Sequence, residues 1–266
     1  MRLAANLSML WATEPFEERF ASAARAGFDA AELWWPGDED ASRLPDLTRA
    51  HGLQLAALNF DAGDMPAGDR GLLATPATSD RFRAHAPGAL GLAAACGCTR
   101  MNALVGLRDE QYTLDEQLTC VREHLTWLAP LAARHDVTVL VEPVNSFENG
   151  PYLVPTTEAA DALVRSVASD NVRLLYDAYH RARQGGDVFT GLDAHWDLVA
   201  HVQVADCPGR NEPGTGDVDF GRFFADLRAR GYEGFVGLEY RPTDGDTDRS
   251  LGWFRGTGLL DQEDAT

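Results

Sequence analysis

Eight short β-rich apolar runs, each followed by an amphipathic helical stretch, predict an α/β fold of the (β/α)8 TIM-barrel class. Two further observations agree. The chain has 266 residues, close to the roughly 250 that such a barrel needs, and eight units of about 33 residues each are normal βαβ repeats. No Gly/Ser linker, shift in composition or internal repeat divides the chain, so one barrel domain is expected over residues 1–260, with a polar tail over 261–266.

In chain order, the strand candidates are Leu3 to Leu7, Ala30 to Trp35, Leu53 to Asn59, Arg100 to Val105, Val137 to Glu142, Val172 to Asp177, His201 to Ala205 and Phe235 to Tyr240. Helical patterns lie between them near Pro15 to Ala26, Ser42 to His51, Asp80 to Ala95, Leu114 to Arg134, Thr156 to Val167, Gly191 to Leu198, Phe220 to Arg230 and Thr247 to Phe254. Pro15 suits a first helical turn, and Gly27, Gly52 and Gly231 stand where helices need a C-cap. The two long irregular stretches, Phe60 to Ser79 and Pro143 to Pro155, both follow strands. They therefore belong at the C-terminal mouth of the barrel, where active sites are built.

With 45% hydrophobic and 9% aromatic residues, the chain can bury a core without disulfides or a structural metal. Cys96, Cys98, Cys120 and Cys207 fit neither a zinc pair nor a disulfide framework and are expected to be free thiols. A net charge of -18 repels a polyphosphate backbone, so nucleic acid is not an expected partner. The N-terminus enters a strand at once and no long apolar segment follows, so neither signal peptide nor membrane span is expected and the cytoplasm is the simplest address. The Trp34-Trp35 pair at a strand end could line the site, meet a second copy in a homo-oligomer, or pack in the core; core packing is the expectation.

The last four strand candidates each end on an oxygen-bearing side chain: Glu142, Asp177, Gln203 and Glu239. One such residue would be an ordinary solvated strand end. Four in succession imply more, because three carboxylates converging on one barrel mouth repel unless a cation neutralises them. Carboxylates with an amide oxygen suit a hard divalent cation, Mg2+ or Mn2+, rather than zinc or copper. His201 lies two residues before Gln203, on the same face, and is expected to be a buried, satisfied core histidine rather than a ligand. His180, expected in the loop leaving its strand, and Arg210, in the loop after Gln203, are candidates for holding an anionic substrate. No phosphate-cradling GxxxxGK[ST] or strand-adjacent GxGxxG is present.

Seven stretches resemble the hydroxypyruvate isomerase family, a branch of the xylose isomerase-like barrels. They are Ala5-Asn6-Leu7-Ser8-Met9-Leu10, Ala62-Gly63-Asp64 with Ala67-Gly68-Asp69-Arg70-Gly71, Asn102-Ala103-Leu104-Val105-Gly106, Glu142-Pro143-Val144-Asn145, Tyr176-Asp177-Ala178-Tyr179-His180, Gln203-Val204-Ala205-Asp206 running on through Glu212-Pro213-Gly214-Thr215-Gly216, and Gly237-Leu238-Glu239-Tyr240. They span the first strand to the eighth. The resemblance implies a metal held by Glu142, Asp177, Gln203 and Glu239, with Glu142 and Glu239 on opposite faces of the substrate as the catalytic proton donor and acceptor. It also makes Arg70, beside His180 and Arg210, a candidate for the substrate's carboxylate. Related ketose epimerases usually have histidine where this chain has Gln203, which favours the hydroxypyruvate branch; another part of the family isomerises 2-oxo-tetronate.

The implied reaction moves a carbonyl and a hydroxyl between adjacent carbons of a small anionic hydroxy-carbonyl substrate, through an enediolate. It needs a Lewis acid and a proton relay, and no nicotinamide, flavin or PLP. Two rival functions share this type of scaffold. A metal-dependent nuclease would require several histidine ligands and a basic groove, and a non-catalytic sugar-acid sensor would have no use for two opposed glutamates.

Overall fold

Residues 1–254 are described by a computed structural model, in which the eight apolar runs are eight parallel strands. These are β1 (Arg2–Asn6), β2 (Ala30–Leu33), β3 (Gln54–Asn59), β4 (Arg100–Asn102), β5 (Thr138–Val141), β6 (Val172–Asp177), β7 (Val199–Val204) and β8 (Phe235–Leu238). They pair in chain order and β8 returns to β1, closing the barrel. The expected (β/α)8 class is therefore observed. The tail expected over 261–266 lies outside the described residues.

Several strands stop sooner than the apolar runs do, because the next residues bond elsewhere. Val105 pairs antiparallel with Gly71 rather than extending β4. The backbone N–H of Trp34 donates to Ser8 Oγ at 2.9 Å, turning the chain away after β2. Helices over Phe16–Arg25, Leu44–His51, Leu114–Ala133, Thr157–Val167 and Phe220–Ala229 match the amphipathic patterns closely. Gly27, Gly52 and Gly231 all take positive φ at helix ends, as C-caps require. One helix runs over Pro76–Ala95, starting four residues before Asp80: Thr75 is extended and Pro76 opens the first turn, where its missing N–H costs nothing.

Three short helices lack a legible pattern: Asp38–Ala41, Ser146–Asn149 and Ala178–Arg183. The last corrects the expectation that His180 sits in a loop. Asp177 ends β6 and caps this helix at once, its side chain accepting from Tyr179 N–H at 2.7 Å, so strand passes to helix without a connecting loop.

Alternation along the strands gives two apolar regions. Residues such as Leu3, Phe20, Leu55 and Phe223 pack between sheet and helices, whereas Ala4, Ala30, Ala56 and Phe235 form a separate small cluster in the barrel floor. Above that floor the interior is polar, and register sets its height: Asn6 stands beside Glu32, Asp177 beside Gln203, and Gln203 beside Gly237. No described helix is long and apolar enough to cross a membrane.

Candidate functional site

Glu142 and Glu239 follow directly on β5 and β8, Asp177 ends β6 and Gln203 lies in β7, so all four reach the same mouth and all are buried. Glu142, Asp177, His180 and Glu239 each offer a ligand atom, and these atoms lie within 4.8 Å of one another. Opposed ligands of a hard divalent cation are about 4–5 Å apart, so one ion fits with little side-chain movement.

Hydrogen bonds fix each member. Glu239 Oε1 accepts from Trp34 Nε1 at 2.6 Å and Asn6 Nδ2 at 3.1 Å, and its Oε2 from Arg210 at 2.6 Å. Glu142 Oε2 accepts from Asn102 Nδ2 at 2.6 Å. Among the described residues three buried acceptors here have no partner, Asn102 Oδ1, Asp177 Oδ2 and Gln203 Oε1, the last two on residues of the cluster's own strand ends. Such orphans cost about 1–3 kcal/mol each in lost hydration, which a cation bound between the last two would offset for that pair. The residues present therefore fit a divalent metal.

Electrostatics agree. Burial, then the neighbouring Glu239 and Asp177, pushes the Glu142 carboxyl well above its ordinary range, against the pull of Arg210 and Asn102. Burial and then Glu239 push Asp177 up to about 7, opposed by Arg210 and the backbone N–H groups of Tyr179 and His180. Glu239 is also raised, chiefly by burial, though Arg210 and Trp34 oppose the shift. These are carboxylates short of positive charge.

His180 behaves differently from the acids. Its Nε2 lies 3.5 Å from Glu142 and 3.6 Å from Asp177, while Asn145 faces its Nδ1 with a backbone N–H at 3.3 Å and Nδ2 at 2.7 Å. Asn145 Oδ1 already accepts from Phe147 and Glu148, so the amide cannot be turned round. Nδ1 is therefore assigned as the acceptor, and the neutral ring carries its hydrogen on Nε2. Burial, then Arg210, holds the imidazole well below its usual range. A neutral ring with Nε2–H offers a donor toward the cluster, not a lone pair.

A cavity of about 250 Å³ opens above the cluster, lined by Trp34, Asn59, Met65, Pro66, Arg70, Leu104, Glu142, Val144, Asn149, Tyr152, His180, Arg210, Glu239 and Arg241. It is smaller than the roughly 300–1,000 Å³ of drug-sized sites and suits a small substrate. The sequence-predicted residues Arg70, His180 and Arg210 all reach it. Arg210 stands over the Tyr179 ring at 5.2 Å, with its Nε buried and without a partner. Trp34 was expected in the core and instead lines the cavity through its bond to Glu239. His201 is fully buried, as expected, but only half satisfied: Nε2 bonds Glu32 at 2.8 Å and Nδ1 has no partner.

Sequence reasoning missed Glu32, Asn6, Asn102, Asn145 and Arg241. Glu32 left a signal, being the one charge within the apolar run of β2.

The xylose isomerase-like TIM barrel family model matches residues 20–257. A Streptomyces coelicolor protein, provisionally named a hydroxypyruvate isomerase, is 40% identical over 264 residues and 95% of each chain. The hydroxypyruvate isomerase of Escherichia coli is 32% identical, covering 95% of this chain and 98% of its own. The chain belongs to the hydroxypyruvate isomerase family of xylose isomerase-like barrels. It is an isomerase of that family, whose members include the 2-oxo-tetronate isomerase of Cupriavidus necator, 35% identical and covering 96% of this chain and 97% of its own. Among solved structures, a Brucella melitensis protein named AP endonuclease, family 2, superposes with a TM-score of 0.91 at 34% identity, covering 96% of this chain and 98% of its own.

Proposed function

We propose that this isomerase interconverts hydroxypyruvate and tartronate semialdehyde by proton transfer between Glu142 and Glu239, at a site where Glu142, Asp177, Gln203 and Glu239 hold Mg2+ or Mn2+. The observation that carries this reading is the pair of buried glutamates lining one small cavity, each oriented by its own donors. A cation bound there would polarise the substrate's carbonyl and neighbouring hydroxyl as a Lewis acid.

The two carboxyls are unequal, as acid-base work across one substrate needs. Three donors on Glu239 favour its carboxylate, which makes it the base that takes the proton from the hydroxymethyl carbon. Glu142, held by one short bond from Asn102, is the less heavily hydrogen-bonded of the two and passes a proton to the adjacent carbon. His180 donates Nε2–H to a substrate oxygen. Arg210, with its free Nε–H, Arg70 and Arg241 form the cationic wall for the substrate's carboxylate; neither Arg70 nor Arg241 has a carboxylate partner among the described residues.

A one-carbon-longer substrate, 2-oxo-tetronate, is the second reading, favoured by the Cupriavidus relative. The nuclease suggested by the Brucella neighbour's name is less well supported, because the cluster has one histidine and that ring turns N–H toward it. Purified protein with Mn2+, offered hydroxypyruvate and 2-oxo-tetronate in deuterated water, separates the two isomerase readings. Deuterium appearing in hydroxypyruvate and its isomer supports the reading, and exchange confined to the longer acid replaces it with the second.

Arg241 is expected to bind substrate without touching the chemistry. Arg241→Ala should raise KM for hydroxypyruvate about tenfold, the loss of one charge-assisted bond, with kcat within about twofold of wild type. An unchanged KM would leave the carboxylate to Arg70 and Arg210.

A further inference from the structure

Glu32 makes no contact with the cavity, yet its carboxylate, 1% exposed, is the hub of the barrel interior. Oε1 accepts from Gln203 Nε2 at 2.7 Å and from Asn6 Nδ2 at 3.0 Å, and Oε2 meets His201 Nε2 at 2.8 Å. Space for it is provided by β8. A Cβ on Gly237 would lie 2.3 Å from both Glu32 carboxyl oxygens, so the strand carries glycine where the carboxylate approaches its backbone.

The effect of this hub falls on Gln203. An amide has a donor end and an acceptor end, and committing one end decides where the other points. With Nε2 held by Glu32, Gln203 Oε1 is turned away from the hub and is left buried without a partner. Asp177 Oδ2, on the neighbouring strand at the same height, is in the same condition. Asn6 ties the hub to the other side of the cluster, because the Nδ2 that donates to Glu32 also lies 3.1 Å from Glu239 Oε1. Its own Oδ1 accepts from Ser8 N–H, so that amide is fixed as well.

We propose that Glu32 is a positioning residue for the cation site: as a pure acceptor it holds the amide of Gln203 with the carbonyl oxygen toward Asp177 and the glutamates, making a ligand of a side chain that would otherwise be free to present its NH2 group. The inference rests on the cation reading above. Partners one step behind the ligands typically change metal affinity by about 10-fold to 100-fold.

The test exchanges donor and acceptor. Metal-free wild type, Glu32→Gln, Gln203→Glu and the double variant are titrated with MnCl2, with binding followed by calorimetry and by the loss of the free Mn2+ paramagnetic resonance signal. With Gln203 intact, Glu32→Gln offers an NH2 group where an acceptor was, and Mn2+ affinity should fall about tenfold or more. In the Gln203→Glu background the same change should raise affinity, because the new NH2 group donates to one oxygen of the introduced carboxylate and leaves the other for the cation. This reversal of sign is a coupling that a purely structural Glu32 would not produce. Affinity unchanged by Glu32→Gln, or lowered equally in both backgrounds, overturns the proposal. Should Glu32→Gln not fold, the proposal requires the double variant to bind Mn2+ more tightly than Gln203→Glu alone. Wild type that takes up no Mn2+ defeats the cation reading itself, an outcome separate from any difference among the variants.

Discussion

Glu239→Gln is expected to lower kcat for hydroxypyruvate by about 100-fold or more, since the amide keeps the shape and one ligand oxygen but cannot accept the proton. Glu142→Gln should do the same. Their side effects should differ. Both oxygens of Glu239 accept from donors, Trp34 and Asn6 on one side and Arg210 on the other, so a glutamine there sets its NH2 against a donor whichever way it turns. That mismatch should cost about 1–3 kcal/mol of stability, seen as a lowered melting temperature. Glutamine at 142 can keep its oxygen on Asn102 Nδ2, with only the longer 3.5 Å approach of His180 Nε2 set against its NH2, and should melt closer to wild type than the Glu239 variant. The double variant should be little slower than either single one, because both belong to one relay. A Glu239→Gln enzyme turning over at near wild-type rate would reduce that residue to a ligand and leave all proton transfer to Glu142.

Removing divalent metal should abolish most activity and lower thermal stability, and the size of the second effect should depend on pH. Asp177 is pushed up to about 7 and Glu142 is raised as well, both chiefly by burial. For a carboxyl whose folded pKa is raised, the folded state binds more protons than the unfolded one between the two values. Metal-free protein therefore has its full share of stability from this group below about pH 4 and loses it as pH rises through about 7. A bound cation reverses that loss by supplying the positive charge that the departed protons no longer provide. The rise in melting temperature on adding Mn2+ should be small at pH 5 and reach its full extent by pH 8, where saturation at 100 times Kd contributes about 2.7 kcal/mol. Scanning calorimetry of chelated and reloaded protein across this range decides it, and a rise independent of pH would mean that these carboxyls are not the ligands.

The barrel was legible because each strand is a short, mostly apolar run followed by an amphipathic helical stretch, and the four oxygen-bearing residues stood out because each falls at or next to the C-terminal end of such a run. What sequence could not convey was pairing across the barrel. Glu32 and Gln203 are 171 positions apart and Asn6 and Glu239 are 233 apart, so nothing local marks them as partners. Trp34 reads as core by composition; only its indole N–H, aimed at Glu239, makes it part of the site. His180 was expected in a loop because no breaker pattern shows that Asp177 serves as strand end and helix cap at once. Arg241 has no motif of its own, and its place at the cavity follows from the backbone bond that joins it to Arg210 at 2.9 Å.

The pairing of β8 with β1 has a consequence for the life of the chain on the ribosome. Glu239 comes from almost the last part of the barrel to be synthesised, and the side chains that orient it, Asn6 and Trp34, come from almost the first. A nascent polypeptide that has emerged only as far as β7 holds Glu142, Asp177 and Gln203 but has neither the fourth oxygen donor nor a ring closed around them. A site built from Glu142, Asp177, Gln203 and Glu239 is therefore complete only once the two ends of the barrel have met.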